Sequence, residues 1–225
     1  MAKEPLQNKI IWITGASSGI GKSLAIALNR QGNKLILSSR NRDLLYQVKE
    51  NCERNPINVH ILDFDINNEE IIKQKTEEAL RIFGHMDMVI HCAGVTQRSY
   101  AEVTELNVDK SIMQTNFIGP VALTKALLPN MIKRRNGAIV VVSSIVGKFG
   151  TPYRSAYAAS KHALHGFFDS LRAEVEDRGV KVHLVCPGFV NTNLSINALR
   201  VTALNSTKKT TPITMAWILT YLRRK

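Results

Sequence analysis

A short apolar run, Lys9-Ile10-Ile11-Trp12-Ile13-Thr14, passes directly into Gly15-Ala16-Ser17-Ser18-Gly19-Ile20-Gly21, and the apolar-spaced segment Leu24 to Leu28 follows, ended by Gly32. A strand that turns on glycines into a helix restricts the fold more than anything else in the chain. The turn must fold tightly and let backbone approach a bound group. The helix start then offers N–H groups and a positive dipole end to an anion such as a pyrophosphate. The spacing is Gly-x-x-x-Gly-x-Gly rather than G-x-G-x-x-G, and a glycine turn can also be purely structural. Its place between a strand and a helix, with further strands beyond, favours dinucleotide binding.

The alternation repeats along the chain. Lys34 to Ser39 reads as a second strand, Asp43 to Glu53 as a polar-faced helix and Ile57 to Leu62 as a third strand. Glu69 to Phe83 is helical, and Asp87 to Cys92 is a fourth strand closed by Ala93-Gly94. From Val108 to Lys133 the period is helical, with Asn116 near the middle and Gly119-Pro120 behind it. The proline predicts a kink that frees a backbone carbonyl for water. A fifth strand (Ala138 to Val142), a helix through Tyr157 to about Arg178 with Pro152 near its start, and a sixth strand (Val180 to Cys186) follow. This order predicts an α/β fold with a doubly wound, Rossmann-like parallel sheet in three α/β/α layers, binding ligands at the strand carboxyl ends. The 225 residues are expected to form one oxidoreductase domain over 1–199, with an atypical segment at 200–225. In that segment a polar loop precedes Ile213 to Tyr221, a short apolar stretch expected to pack on the same domain as a helix.

Where an NAD-selective site would place an acid for the ribose 2′-hydroxyl, this chain has Ser39 and then Arg40, with Arg42 close by. A carboxylate repels a 2′-phosphate and a guanidinium binds it bidentately, so NADP(H) is expected over NAD(H). The alternative is Arg40 as a surface cation capping the next helix. The third strand runs out at Asp63-Phe64-Asp65-Ile66, where a side chain can meet an adenine, and Ala93-Gly94 is small enough for backbone to lie against a flat ring.

Net charge is +12, which favours anionic partners or describes a solvated basic surface. Aromatics are 6% and no stacking platform or recognition motif for nucleic acid is visible, so none is expected as a partner. Cys52, Cys92 and Cys186 form no CxxC pair and suit a reducing compartment, and the six histidines show no metal spacing. Met1 to Pro5 lacks a leader's apolar run, and no stretch reaches the roughly 18–20 apolar residues of a membrane span. The expected place is the cytoplasm or the cytosolic face of an internal membrane, with peripheral association open.

Tyr157 and Lys161 lie four apart and share a helix face. A phenol beside an ammonium is an acid–base device, because the cation favours phenolate and lowers the phenol pKa. Taken alone the spacing also describes a solvated helix surface. Ser144 ends the fifth strand, where its hydroxyl can be brought to that phenol.

Together these residues resemble the short-chain dehydrogenase/reductase family. Thr14-Gly15-x-x-x-Gly19-x-Gly21, Asn116, Ser144, Tyr157-x-x-x-Lys161 and Pro187-Gly188-x-Val190-x-Thr192 match its motifs in order, over about Lys9 to Asn197. The wording of Thr115 to Lys125 and Ser155 to Ala163 is most similar to the dehydrogenase/reductase member 7 branch. The resemblance implies an NADP(H)-linked reaction between a lipophilic or steroid-like carbonyl and an alcohol, in a homodimer. It implies Tyr157 as general acid, Lys161 as its partner and ribose ligand, Ser144 as polariser of the carbonyl and Asn116 as holder of a relay water. It also implies cofactor contacts at Gly15, Ser17, Ser18, Gly19, Ile20, Gly21, Ser39, Arg40, Asp65, Ile66, Ala93, Gly94, Asn116, Tyr157, Lys161, Pro187, Gly188, Val190 and Thr192. Two departures stand out. His91-Cys92 replaces the family's paired asparagines, which bind neighbouring backbone. After about Leu199 the family pattern is lost, so a shortened C-terminus is expected, and with it an alternative: a cofactor-binding form with weak catalysis and no substrate lid.

Overall fold

The structure, a computed structural model, describes residues 6–54, 56–188, 190 and 198–199. Six parallel strands are ordered β3-β2-β1-β4-β5-β6. They are β1 (Ile10–Thr14), β2 (Lys34–Ser38), β3 (Val59–Ile61), β4 (Met88–His91), β5 (Gly137–Val142) and β6 (Val180–Val185). The helices between them are α1 (Gly19–Arg30), α2 (Arg42–Glu50), α3 (Glu69–Phe83), α4 (Leu106–Met113), α5 (Gly119–Arg134) and α6 (Ser155–Val175).

Alternate side chains of each strand point to opposite faces, and both faces are buried, which is why the strands read as near-continuous apolar runs. Ile10, Trp12, Ile36, Val89 and Ile139 pack against α3, α5 and α6. Ile11, Ile13, Leu35, Leu37 and Ile90 pack against α1 and α2. The doubly wound, three-layer architecture is therefore present. The chain reverses its winding between β1 and β4, which pair from Ile11↔Met88 to Thr14↔His91. Ligands bind at this switch point in such sheets. A polar thread also ties three strands: Trp12 Nε1 donates to Ser38 Oγ (2.8 Å), which donates to Leu62 O (2.6 Å).

Several boundaries differ from the sequence reading for local reasons. Pro56 to Asn58 form a 3-10 turn, so the third strand begins only at Val59. Pro152 does not open the helix of Tyr157. Tyr153 takes a left-handed φ of 68°, and α6 starts at Ser155. The helix ends at Val175, with Glu176 to Arg178 a 3-10 turn. Next to Pro120 the helical run is interrupted by a π turn over Gln114–Ile118, and Pro120 falls in the first turn of α5. Segment 200–225 lies outside the described residues. Among the described residues no helix is long and apolar enough to cross a membrane.

Candidate active site

The turn after β1 requires glycine on steric grounds. Gly15 and Gly19 have φ of 65° and 51°, in the left-handed region glycine tolerates. A Cβ on Gly15 would come within 2.6 Å of Ala93 N, so the turn presses on the exit of β4. A Cβ on Gly21 would collide with the Gly15 carbonyl, so α1 leaves the turn without clearance. Ser18, the N-cap of α1, gives no side-chain cap, and the first turn carries no acid. An uncapped helix start of this kind suits a phosphate group.

The turn forms one wall of a cleft of about 460 Å³. Gly15, Ser17, Ser18, Gly19, Ile20, Gly21, Ser39, Arg40, Asp65, Ile66, Ala93 and Gly94 line it, twelve of the residues expected at the cofactor. The donor set fits a dinucleotide phosphate bridge, with small backbone-rich residues for flat rings and the cation Arg40 on its lining. Arg42 is engaged elsewhere, beside Tyr46 (ring centroid 5.7 Å) and Asp63 (3.9 Å). Arg40 is exposed, lines the cleft and makes no ion pair among the described residues. Asn41, Leu44, Val95 and Leu199 line the cleft as well and were not singled out in the sequence. Asn41 had a signal, since its Oδ1 accepts from Leu44 N (3.0 Å) as the cap of α2. Leu199 had none, and reaches the cleft by bridging to Gln97.

The expected catalytic residues converge at the ends of β4 and β5. Ser144 Oγ accepts from Val146 N (3.2 Å), and its hydroxyl is close enough to the Tyr157 phenol to lower the phenol's pKa. Lys161 Nζ lies 5.7 Å from the Tyr157 ring centroid and donates to Val142 O at 2.9 Å. Asn116 clamps Val95 from both sides: its Oδ1 accepts from Val95 N (2.8 Å) and its Nδ2 donates to Val95 O (2.9 Å). The Asn116 amide also donates to Ser160 Oγ (3.0 Å), which donates to Tyr157 O (2.8 Å). Its own carbonyl lacks an i+4 donor, because that residue is Pro120. Gly94 joins the two halves of the site. A Cβ there would stand 3.2 Å from Asn116 Oδ1 and 3.9 Å from Lys161 Nζ.

Burial reverses one expectation. The phenol of Tyr157 is held above its ordinary pKa by desolvation, against the neighbouring Ser144 hydroxyl and the charge of Arg154, and Lys161 is not among the groups that lower it. Lys161 itself is pushed down to about 8 by burial, opposed by the thiols of Cys92 and Cys186. The cost of burying charge at these residues exceeds the attraction between them.

Pro187 is buried beside this turn and its carbonyl accepts from Ile145 N (3.2 Å). Gly188 and Val190 are half-buried beyond it, none of the three lines the cleft, and Thr192 lies outside the described residues. At His91, Nε2 pairs with Thr124 Oγ1 (2.9 Å), a side chain where the family's asparagine meets backbone. Ala93 N is served instead by Thr14 Oγ1 (3.4 Å). His165 proves to have companions the sequence did not disclose: Ser143 Oγ (3.1 Å), Cys186 Sγ (3.5 Å) and Asp169 (4.0 Å). Among the described residues no group could hold a metal ion.

The family model described as short chain dehydrogenase matches residues 9–201. Dehydrogenase/reductase SDR family member 7B of Bos taurus is 44% identical over 200 residues, covering 86% of this chain and 62% of that protein. The chain thus spans a little over three-fifths of that relative's length. Among solved structures, ElxO with NADP bound is 28% identical, with a TM-score of 0.79 over 82% of this chain and 75% of that one. A short chain dehydrogenase/reductase from Burkholderia phymatum in complex with NAD is 25% identical, with a TM-score of 0.81 over 86% and 70%.

Proposed function

The chain belongs to the short-chain dehydrogenase/reductase family, and from that premise we propose that it is an NADP(H)-dependent oxidoreductase interconverting a ketone or aldehyde and an alcohol, with Tyr157 as acid and base. The observation that carries this reading is the meeting of the Tyr157 phenol and the Ser144 hydroxyl beside buried Lys161, across Gly94 from the cleft. Neighbours with bound nucleotide include both NADP(H) and NAD complexes, so the preference rests on this chain's own Arg40. Gly15 to Gly21 would hold the pyrophosphate, Arg40 and Ser39 the 2′-phosphate, and Asp65 and Ile66 the adenine.

When bound, the nicotinamide supplies hydride chemistry, which the protein positions. Ser144 donates to the carbonyl oxygen and Tyr157 delivers its proton there. A phenol carries its proton at neutral pH and burial raises its pKa further, so Tyr157 holds the proton that reduction requires, and the acid contributes on the order of 10²–10⁴-fold. Lys161 holds the ribose side, and the Asn116 carbonyl is available to a relay water. A lipophilic substrate suits the exposed Tyr100, Val103, Phe149 and Tyr153, which lie in the loops before α4 and α6. A homodimer through the helices around Asn116 and Tyr157 is part of the reading.

NADPH oxidation against a carbonyl panel tests the proposal. Tyr157→Phe is expected to abolish turnover while leaving NADPH affinity nearly intact, and a fully active variant would refute the mechanism. Arg40→Asp is expected to erode the preference for NADPH over NADH. An unchanged ratio of the two affinities would remove Arg40 from the account.

A further inference from the structure

The loop leaving β4 carries a glutamine that the proposed chemistry does not use. Gln97 is 0% exposed, and a buried amide needs partners. Its Oε1 accepts from Ala156 N at 3.0 Å, and its Nε2 donates to Ser155 Oγ at 3.4 Å. Both partners belong to the first turn of α6, directly before Tyr157. That turn has no cap of its own. Arg154 precedes it, makes no side-chain cap hydrogen bond and has no acceptor to offer. A side chain 59 residues away in sequence therefore does what a local Ser, Thr, Asp or Asn does at other helix starts.

The loop that bears Gln97 is tied down on both sides. Val95 is clamped by Asn116, and Leu199 N donates to Thr96 O (2.8 Å) while Arg98 N donates to Leu199 O (3.2 Å). Ser99 N donates to Tyr153 O (3.2 Å), four residues before the phenol. Gln97 thus reaches α6 from a fixed base that also borders the cleft.

We propose that Gln97 is a positioning residue for proton transfer: capping α6 from the opposite wall, it fixes the turn that aims the Tyr157 phenol at Ser144. This rests on the reading of Tyr157 as the acid. The groups facing that phenol are Ser144, Arg154 and Lys161, with the thiols of Cys92 and Cys186 next to the lysine. Gln97 is the neutral group at the start of their helix.

Two variants separate aiming from simple support. Gln97→Leu removes the acceptor and is expected to lower kcat roughly ten- to hundredfold, with NADPH affinity unchanged. Gln97→Glu keeps the acceptor and suits a helix start, so most of kcat should return. Its negative charge also disfavours phenolate, so the pH profile of kcat should move to higher pH. The same rise is read without substrate by fluorine NMR on chain carrying difluorotyrosine, with the Tyr157 signal assigned through Tyr157→Phe. Equal loss of kcat in both variants, or a Tyr157 titration that Gln97→Glu leaves in place, would overturn the proposal. If the wild-type chain reduced no carbonyl, the proposed reaction would fall, and the Tyr157 titration would still decide for or against Gln97.

Discussion

His91 shows how far a single side chain can be moved by its surroundings. It sits in the central strand, 2% exposed, with Nε2 on Thr124 and no partner for Nδ1 among the described residues. Burial pushes its pKa down to about 3. Between that value and the ordinary 6.5, the unfolded chain binds a proton that the folded chain refuses. The stabilising contribution is therefore complete above the ordinary value and is lost as pH falls toward 3, at about 1.4 kcal/mol per pH unit. His91→Asn is expected to lose less stability than the wild type between neutral pH and about pH 5 in urea unfolding. Equal losses would mean that the histidine is charged in the fold. Tyr157 and Lys161 obey the same physics in the site itself. Their spacing was plain in the sequence, but the direction of both pKa shifts was not, because desolvation depends on the sheet packed over them.

Elements were legible where their signals are local. Glu69 to Phe83 is helical over the whole stretch that its apolar period marks, with Asn68 capping at Ile71 N and Gly84 closing in a left-handed conformation. The glycine turn was legible for a similar reason, since Gly15 needs a positive φ and a close backbone neighbour. Gly15→Ala is expected to cost at least about 1 kcal/mol from conformation alone, and more from the contact with Ala93. Thermal unfolding and an NADPH titration check this, with weaker binding and a lower Tm expected. A variant with wild-type affinity would show that the turn does not hold the nucleotide. The π turn around Asn116 was less accessible. Periodicity from Val108 to Lys133 shows a helix and Pro120 shows an interruption, but where the extra residue is absorbed depends on contacts such as Asn116 with Val95 and Thr115 Oγ1 with Asn67 (2.9 Å).

At the scale of the molecule, two chains of 25.1 kDa and net charge +12 each must associate against mutual repulsion if the proposed homodimer forms. Light scattering is expected to give twice the chain mass, with association tightening as salt screens the charge. A monomer mass across the salt range would remove the dimer. The parallel sheet was implied by alternation, because parallel strands need a crossover between them, whereas the order β3-β2-β1-β4-β5-β6 was decided by how the strands assemble. The order of residues thus settled the α/β class, the glycine turn after β1, and the helical face shared by Tyr157 and Lys161, all of which depend on neighbours within a few positions. Folding in three dimensions settled the rest. Ser144 against the phenol, Gly94 against Asn116 and Lys161, Gln97 over the start of α6 and His165 beside Cys186 are contacts between distant segments. Such contacts follow from how helices lie on a sheet, which no stretch of sequence encodes alone.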